Sequence, residues 1–263
     1  MNIAVSTIIL FTFLLPGIIL RRFYYTEEFS KQFFKQNFFE LFVAVIVPSI
    51  FLHVLVGSLA YFFNNPIDFR IIGQLLTSKD YPVEAFENIQ NNIGKIITYH
   101  SIIFSISACI GYISKKIVRS YRIDSKRKIF RFKNAWHYIL TGEFFNFHRA
   151  AFDLAEDDVE EVDFVVIDVI VDTKEGAVLY DGFLVDYELS QTGGLETITL
   201  KNVQRRFLKD DNNNQEEETY YKIPGHILVI PYSTILNLNF SYYKFVEIEG
   251  NEEEVEIGFE LIK

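Results

Sequence analysis

One cysteine, Cys109, stands in the chain, so no intrachain disulfide forms and folding does not require oxidation. Paired-cysteine zinc spacing and a His-Glu-x-x-His pattern are missing. Gly94-Lys95 lacks the glycine spacing of a phosphate loop and follows no strand. No Gly-x-Ser-x-Gly elbow occurs. "DDNNNQEEE" places oxygens at alternate positions but has no glycine where a calcium loop turns, and the acidic run from Glu156 to Asp163 reads as a solvated linker. No nucleophile–base pair or ligand set is visible, so the expected function is non-enzymatic, with no metal and no cofactor. Pro224-Gly225-His226 opens a strand, and His226 reads as a structural turn residue.

Positive charge is scarce in the second half. Residues 151–263 hold 8 Lys/Arg against 26 Asp/Glu, a net −18. Phosphate binding needs the opposite sign, so a nucleic-acid partner is disfavoured, although Lys201, Arg205, Arg206 and Lys209 form one local basic patch. Residues 1–150 hold 17 Lys/Arg against 9 Asp/Glu, a net +8. A basic half beside an acidic half implies two environments, a membrane surface and bulk solvent.

What the first half has is long apolar runs. Residues 3–20, 41–63 and 96–113 each have roughly the 17–25 residues needed to cross a hydrocarbon core. The first ends in Arg21-Arg22 with no small-residue cleavage site, so it reads as an uncleaved anchor. Basic residues set the expected orientation. Arg21, Arg22, Lys31 and Lys35 follow the first run, and Lys115, Lys116, Arg119, Arg122, Lys126, Arg127, Lys128, Arg131 and Lys133 follow the third. This puts the N-terminus and the 64–95 loop outside and the C-terminal half in the cytoplasm, with the protein multi-pass in a bacterial inner membrane.

The cluster after the third run interleaves Tyr121, Ile129, Phe130 and Phe132 with its cations. Beside a span it reads as a stop-transfer signal and a contact with anionic lipid rather than nucleic acid. Tyr25, Phe29 and Phe33 share helical spacing, so residues 21–39 read as an interfacial helix.

Inside the runs, Ser49, His53 and Gly57 repeat every fourth residue. Thr98, Ser101, Ser105 and Ala108 share a face of the third, with Ser107 and Gly111 nearby. Small and hydroxyl residues at this spacing let helices pack closely and bond across the contact. His53 is an ionisable group at mid-span, whose structural reading is a bond to a Ser, Thr or carbonyl of a neighbouring helix. His100, closer to the outer surface, is the weaker candidate. Pro16 and Pro48 predict kinks.

Residues 1–118 thus read as a transmembrane domain, and 119–160 as a basic then acidic connector with a helix near 134–141 carrying Trp136, Ile139 and Leu140 on one stripe. Residues 161–263 have the period of β-strands. Val165, Ile167, Val169 and Val171 alternate; Lys174-Glu175-Gly176 turns; Ala177–Leu189 is a long strand bent at Gly182. Gly193-Gly194 turns into Leu195–Phe207. "GHILVI" and "TILNLNF" are a fourth and a fifth strand, and "FVEIEGNEEEVEIGFEL" an added hairpin turning at Gly250-Asn251.

The bent-strand glycine in "YDGFLVDYE", the strand "ETITLKNV" and the late "VIPYSTILNL" resemble the Sm-like small barrel over Val165 to Leu238. The loop "SQTGG" replaces the Asp- and Asn-bearing loop of Sm-like RNA binders, and Pro231-Tyr232-Ser233 replaces their second contact motif. Pro16-Gly17, Trp136-His137-Tyr138 and the Gly-containing strand resemble an uncharacterised bacterial three-span membrane family, which implies architecture and no activity. The expected fold is therefore three transmembrane helices plus a cytoplasmic all-β small barrel with an extra C-terminal hairpin. The expected role is oligomerisation or protein-partner binding, as a sensor or anchor subunit of a multi-gene defence or envelope-stress system. The alternatives are an oligomeric channel, since small-conductance mechanosensitive channels also place an Sm-like domain after a third helix, and a membrane-tethered RNA binder.

Overall fold

A computed structural model describes residues 3–30, 37–77, 83–147, 162–190, 193–209, 220–248 and 256–262. The chain divides into two compact units, Met1–Tyr121 and Arg122–Lys263.

The first unit is helical: α1 (Ile3–Tyr24), α2 (Phe38–Phe62), α3 (Phe69–Thr77), α4 (Val83–Asn91) and α5 (Ile93–Ser120). Three of these, α1, α2 and α5, are long and apolar enough to cross a membrane. Asn37 starts α2 by accepting the Glu40 N–H at 2.9 Å, which satisfies one of the donors a helix start leaves open. Pro16 and Pro48 sit inside continuous helices. The stretch read as an outside loop contains α3 and α4, both short.

Helix α1 is the hub, packed on both α2 and α5. Gly17 allows one approach, because a Cβ there would overlap the Val45 carbonyl oxygen and Ser49 Oγ of α2. Gly111 of α5 allows the other, because a Cβ would overlap the Leu20 carbonyl oxygen of α1. Leu10, Phe11, Val43, Val47, Phe51 and Val54 point outward. Such a surface suits lipid and not water.

The second unit is a curled antiparallel sheet of β1 (Phe164–Thr173), β2 (Gly176–Leu189), β3 (Leu195–Phe207), β4 (Tyr221–Lys222), β5 (Leu228–Pro231), β6 (Ile235–Ile248) and β7 (Glu256–Leu261). The order is β4-β3-β2-β1-β6-β7, with β5 also on β3. Two expectations change. The fifth strand and the first arm of the added hairpin are one strand, β6, whose early part pairs with β1 and whose late part pairs with β7. The barrel is a half-barrel: among the described strands no ladder joins β5 to β6, and a single 3-10 turn, Tyr232–Thr234, links them. The Gly250-Asn251 turn lies outside the described residues, as do most of the Glu156–Asp163 run and the "DDNNNQEEE" tip.

The alternation of β1 produces the core. Val165, Ile167, Val169 and Val171 face inward with Ile198, Leu200, Val203, Ile230 and Tyr242. Each such aliphatic side chain contributes about 1.5–3 kcal/mol when taken fully out of water. Of the stretch read as a connector, the described residues 122–147 belong to this unit. Helix α7 (Ala135–Leu140) covers the core with Leu140, and Tyr242 donates its hydroxyl to the Ile139 carbonyl at 2.8 Å. Gly142 follows the helix at φ 74°, where a Cβ would overlap Val162.

Candidate functional site

Three groups of residues compete for the role of a site: the polar core of the helical unit, the basic turn after α5, and the outer face of the sheet.

In the helical unit, Ser49 Oγ donates to the Leu14 carbonyl and accepts the Gly17 N–H, both at 3.0 Å. One turn on, His53 Nε2 lies 3.1 Å from the Phe13 carbonyl and Nδ1 lies 2.8 Å from the Tyr99 hydroxyl. A carbonyl only accepts, so in the neutral ring Nε2 carries the proton and Nδ1 accepts from Tyr99. The ring stacks on Phe13 at 4.3 Å. His53 therefore ties α2 to α1 and α5 at once. These bonds reach backbone groups on both sides of Pro16. Gly57 belongs to a different contact, against Ile67. His100 bonds within its own helix, to the Ile96 carbonyl at 2.8 Å.

On α5 the buried stripe is Ile103, Ser107, Gly111, Lys115 and Val118. Thr98, Ser101 and Ser105 face outward, and Ala108 is partly covered. The helical period thus selects a face offset from the one expected to pack inside the chain.

The basic residues separate into two kinds. Lys115 is not a surface cation: its side chain is 8% exposed and bonds Glu27 at 2.6 Å and the Thr26 carbonyl at 3.3 Å, with Glu28 at 3.7 Å. The ammonium beside Glu27 holds that carboxyl below its usual range, first by hydrogen bond and then by charge. Lys115 and Arg119 also cover the Phe29 ring, at 5.6 and 5.4 Å, and Phe29 is fully buried. Residues 25–29 therefore do not form an interfacial helix. The chain leaves α1 at Tyr24 and makes a 3-10 turn, Glu27–Phe29. Lys31, Phe33 and Lys35 lie outside the described residues. Arg21 sits over the Tyr25 ring, Arg22 donates to the Tyr25 carbonyl, and Lys116 is exposed.

Lys126, Arg127 and Lys128 are exposed, and the residues around them are locked. Asp124, buried in α6 (Ile123–Lys126), accepts the Tyr138 hydroxyl at 2.8 Å. Arg131 donates to the Asp124 and Ser125 carbonyls at 3.3 and 3.0 Å and lies 3.4 Å over the Phe147 ring. Nothing in the sequence marks Asp124 as more than one charge in a charged stretch.

The sheet has two working faces. Opposite the core, register places Gln204, Asp181, Asp168 and Asn239 in one row across β3, β2, β1 and β6. Gln204 donates to Asp181 and Asn239 donates to Asp168, each at 3.0 Å. Burial, opposed by the Gln204 bond and aided by the Asp168 charge, raises the Asp181 carboxyl above its usual range. Farther along this face, Phe164 gathers Phe183, Tyr243, Phe245 and Phe259 at 5.1–5.9 Å between ring centres. Phe245 and Phe259 remain 58% and 67% exposed. The alternation that defined the core hid this second apolar set.

Gly182 is a bend as expected: the β2–β3 register shifts there, and a Cβ would press on Val203 and the Lys201 carbonyl at 3.1 and 3.2 Å. Gly193, at φ 79°, donates to the Ser190 carbonyl, and Ser190 N–H reaches the Gly194 carbonyl at 2.8 Å, closing the turn. Arg205 and Arg206 are consecutive in β3 and stand on opposite faces, so the basic patch is divided.

One polar cluster has no signature in the sequence. His137 Nδ1 lies 2.9 Å from the Tyr187 hydroxyl and Nε2 lies 3.6 Å from Glu143. It ties α7 to β2. Among the described residues, no group of three His, Cys, Asp or Glu could hold a metal. The chain matches no protein-family model, no curated protein and no solved structure.

Proposed function

We propose that this is a membrane-anchored, non-catalytic assembly module whose sheet unit joins copies of the chain. In this reading the sheet is an Sm-like barrel left open, in the cytoplasm of a bacterium, beneath an inner-membrane anchor. The observation that carries it is the outer aromatic set, with Phe245 and Phe259 exposed beside the edge strand β7. Exposed apolar patches of this kind mark interaction surfaces, and open strand edges offer backbone groups to a neighbour. At the other end, Val229 of β5 and Ile227 just before it are exposed, and β5 pairs only with β3 among the described strands. Native mass spectrometry of the full chain in detergent tests the reading. Defined oligomers that fall to monomers in Phe245→Asp/Phe259→Asp support it; monomers at all concentrations oppose it.

An oligomeric pore is a second reading, favoured by one observation. Thr98, Ser101 and Ser105 put hydroxyls on the outward face of α5, where copies of the helix would meet or line water. Conductance in patched proteoliposomes, lost in Ser101→Leu/Ser105→Leu, would move the proposal to that reading.

A further inference from the structure

The turn at 126–130 is built as a wedge. Both of its flanks are pinned. On one side Asp124 accepts the Tyr138 hydroxyl and the Ser125 N–H at 2.8 and 3.1 Å. On the other, Arg131 holds the Asp124 and Ser125 carbonyls and lies on Phe147, while the Phe132 N–H donates to the Tyr138 oxygen at 3.3 Å. Between the pins the chain makes a 3-10 turn, Lys128–Phe130, closed by Phe130 N–H to the Arg127 carbonyl and Arg131 N–H to the Lys128 carbonyl at 3.0 and 3.2 Å. A turn so fixed would ordinarily carry polar residues at its tip. This one carries Ile129, 87% exposed, and Phe130, 47% exposed, directly after Lys126, Arg127 and Lys128, all exposed.

We infer that this turn inserts Ile129 and Phe130 into the headgroup zone of an anionic bilayer, with Lys126, Arg127 and Lys128 on the lipid phosphates. The inference deepens the membrane-anchor part of the proposed function and rests on it. Two features choose a bilayer as the occupant. Apolar tips flanked by cations match an interface that is apolar below and negatively charged above. The turn also follows, within a few residues of chain, the end of α5 at Ser120, a helix long and apolar enough to span. In α5 itself, Ile113 and Ile117 are exposed as well, so the last turns of that helix also present an apolar outer surface. The basic stretch then does more than stop transfer. Stop-transfer needs only charge, whereas a locked turn also sets how deep its apolar tip lies.

The protein has one tryptophan, Trp136, so Trp136→Phe gives a silent background for Ile129→Trp. The full chain is placed in phosphatidylglycerol vesicles containing brominated acyl chains. Carbonate extraction of the same vesicles reports separately whether the chain is embedded. The expected result is a blue-shifted emission, quenched at least about twofold by the bromolipid, and a loss of most of that quenching in Lys126→Gln/Arg127→Gln/Lys128→Gln. An unshifted emission with no quenching in embedded protein would overturn the inference. So would a blue-shifted emission that bromolipid does not quench, which would mean a protein covers the tip. Because Trp136 packs on Tyr232, a second probe avoids altering it: Cys109→Ser/Ile129→Cys with a nitroxide label. Oxygen should relax that label more than a water-soluble nickel chelate; the reverse order contradicts the wedge.

Discussion

In the helical unit the helices approach at Gly17, Ser49 and Gly111, with His53 and Tyr99 bonded across helices, beside a small apolar cluster of Leu52, Val56 and Ile103. In the sheet unit the interior is large and apolar: Ile167, Val169, Ile198 and Leu200 fill the core, and the polar row stands on the opposite face. With the helical unit in a membrane, as proposed, the difference follows from the medium. In water, burying large apolar side chains is the main favourable term. Between helices in lipid that term vanishes, and close backbone approach plus hydrogen bonds replace it. The two units therefore respond to different substitutions, and to acid with opposite signs.

The largest expected effect is Gly111→Leu. Its side chain meets the Leu20 carbonyl and Phe23, and the cost should be at least about 3 kcal/mol to the helical unit. Trp136 lies in the other unit, so its fluorescence melt should not move; a parallel shift would break the comparison. Ile198→Ala, at a fully buried site, should cost the sheet about 3 kcal/mol and lower the Trp136 melt, with the α1–α2–α5 packing intact by crosslinking. His53→Ala and Tyr99→Phe should each loosen the helical unit by about 1 kcal/mol. A double-mutant cycle should show them coupled, because they share one bond.

The smallest effect concerns acid. Asp181 has its folded pKa raised, so the folded state takes up a proton as pH falls. Stability at this site rises as pH drops through the folded pKa and levels off below the unfolded one. Asp181→Asn should add about 0.5 kcal/mol at neutral pH by removing a like-charge pair across strands, and should abolish that pH dependence in denaturant titrations. Glu27 has its folded pKa lowered by Lys115, so its contribution is present above the unfolded pKa and is lost as pH falls through the folded one. Glu27→Gln should erase the acid weakening of the helical unit; an unchanged acid response would contradict the assignment.

The strands were legible because alternation over Val165–Val171 admits one inward face, and Gly182 and Gly193 mark a bend and a turn that other residues resist. The three span-length helices were legible from their long apolar runs. The inward face of α5 was not, because an apolar helix with hydroxyls on several sides carries no signal for which one meets a neighbour. Ser107 and Gly111 were visible beside Ser101 and Ser105, but only the Leu20 backbone distinguishes them. Lys115 looked like part of a surface cluster since its partner, Glu27, is far away in sequence. Asp124, Tyr99 and the His137–Tyr187 pair were hidden for the same reason. The outer aromatic set was hidden by success: once odd positions of β1 explained the core, Phe164 at an even position had no evident partner.

Hydrogen exchange on the full chain in detergent, at protein concentrations on either side of assembly, tests the central claim most directly. The account predicts that amides of β5 and β7 slow as concentration rises, while those of α1 and α2 do not change. Exchange in β5 and β7 that is independent of concentration across that range would contradict it.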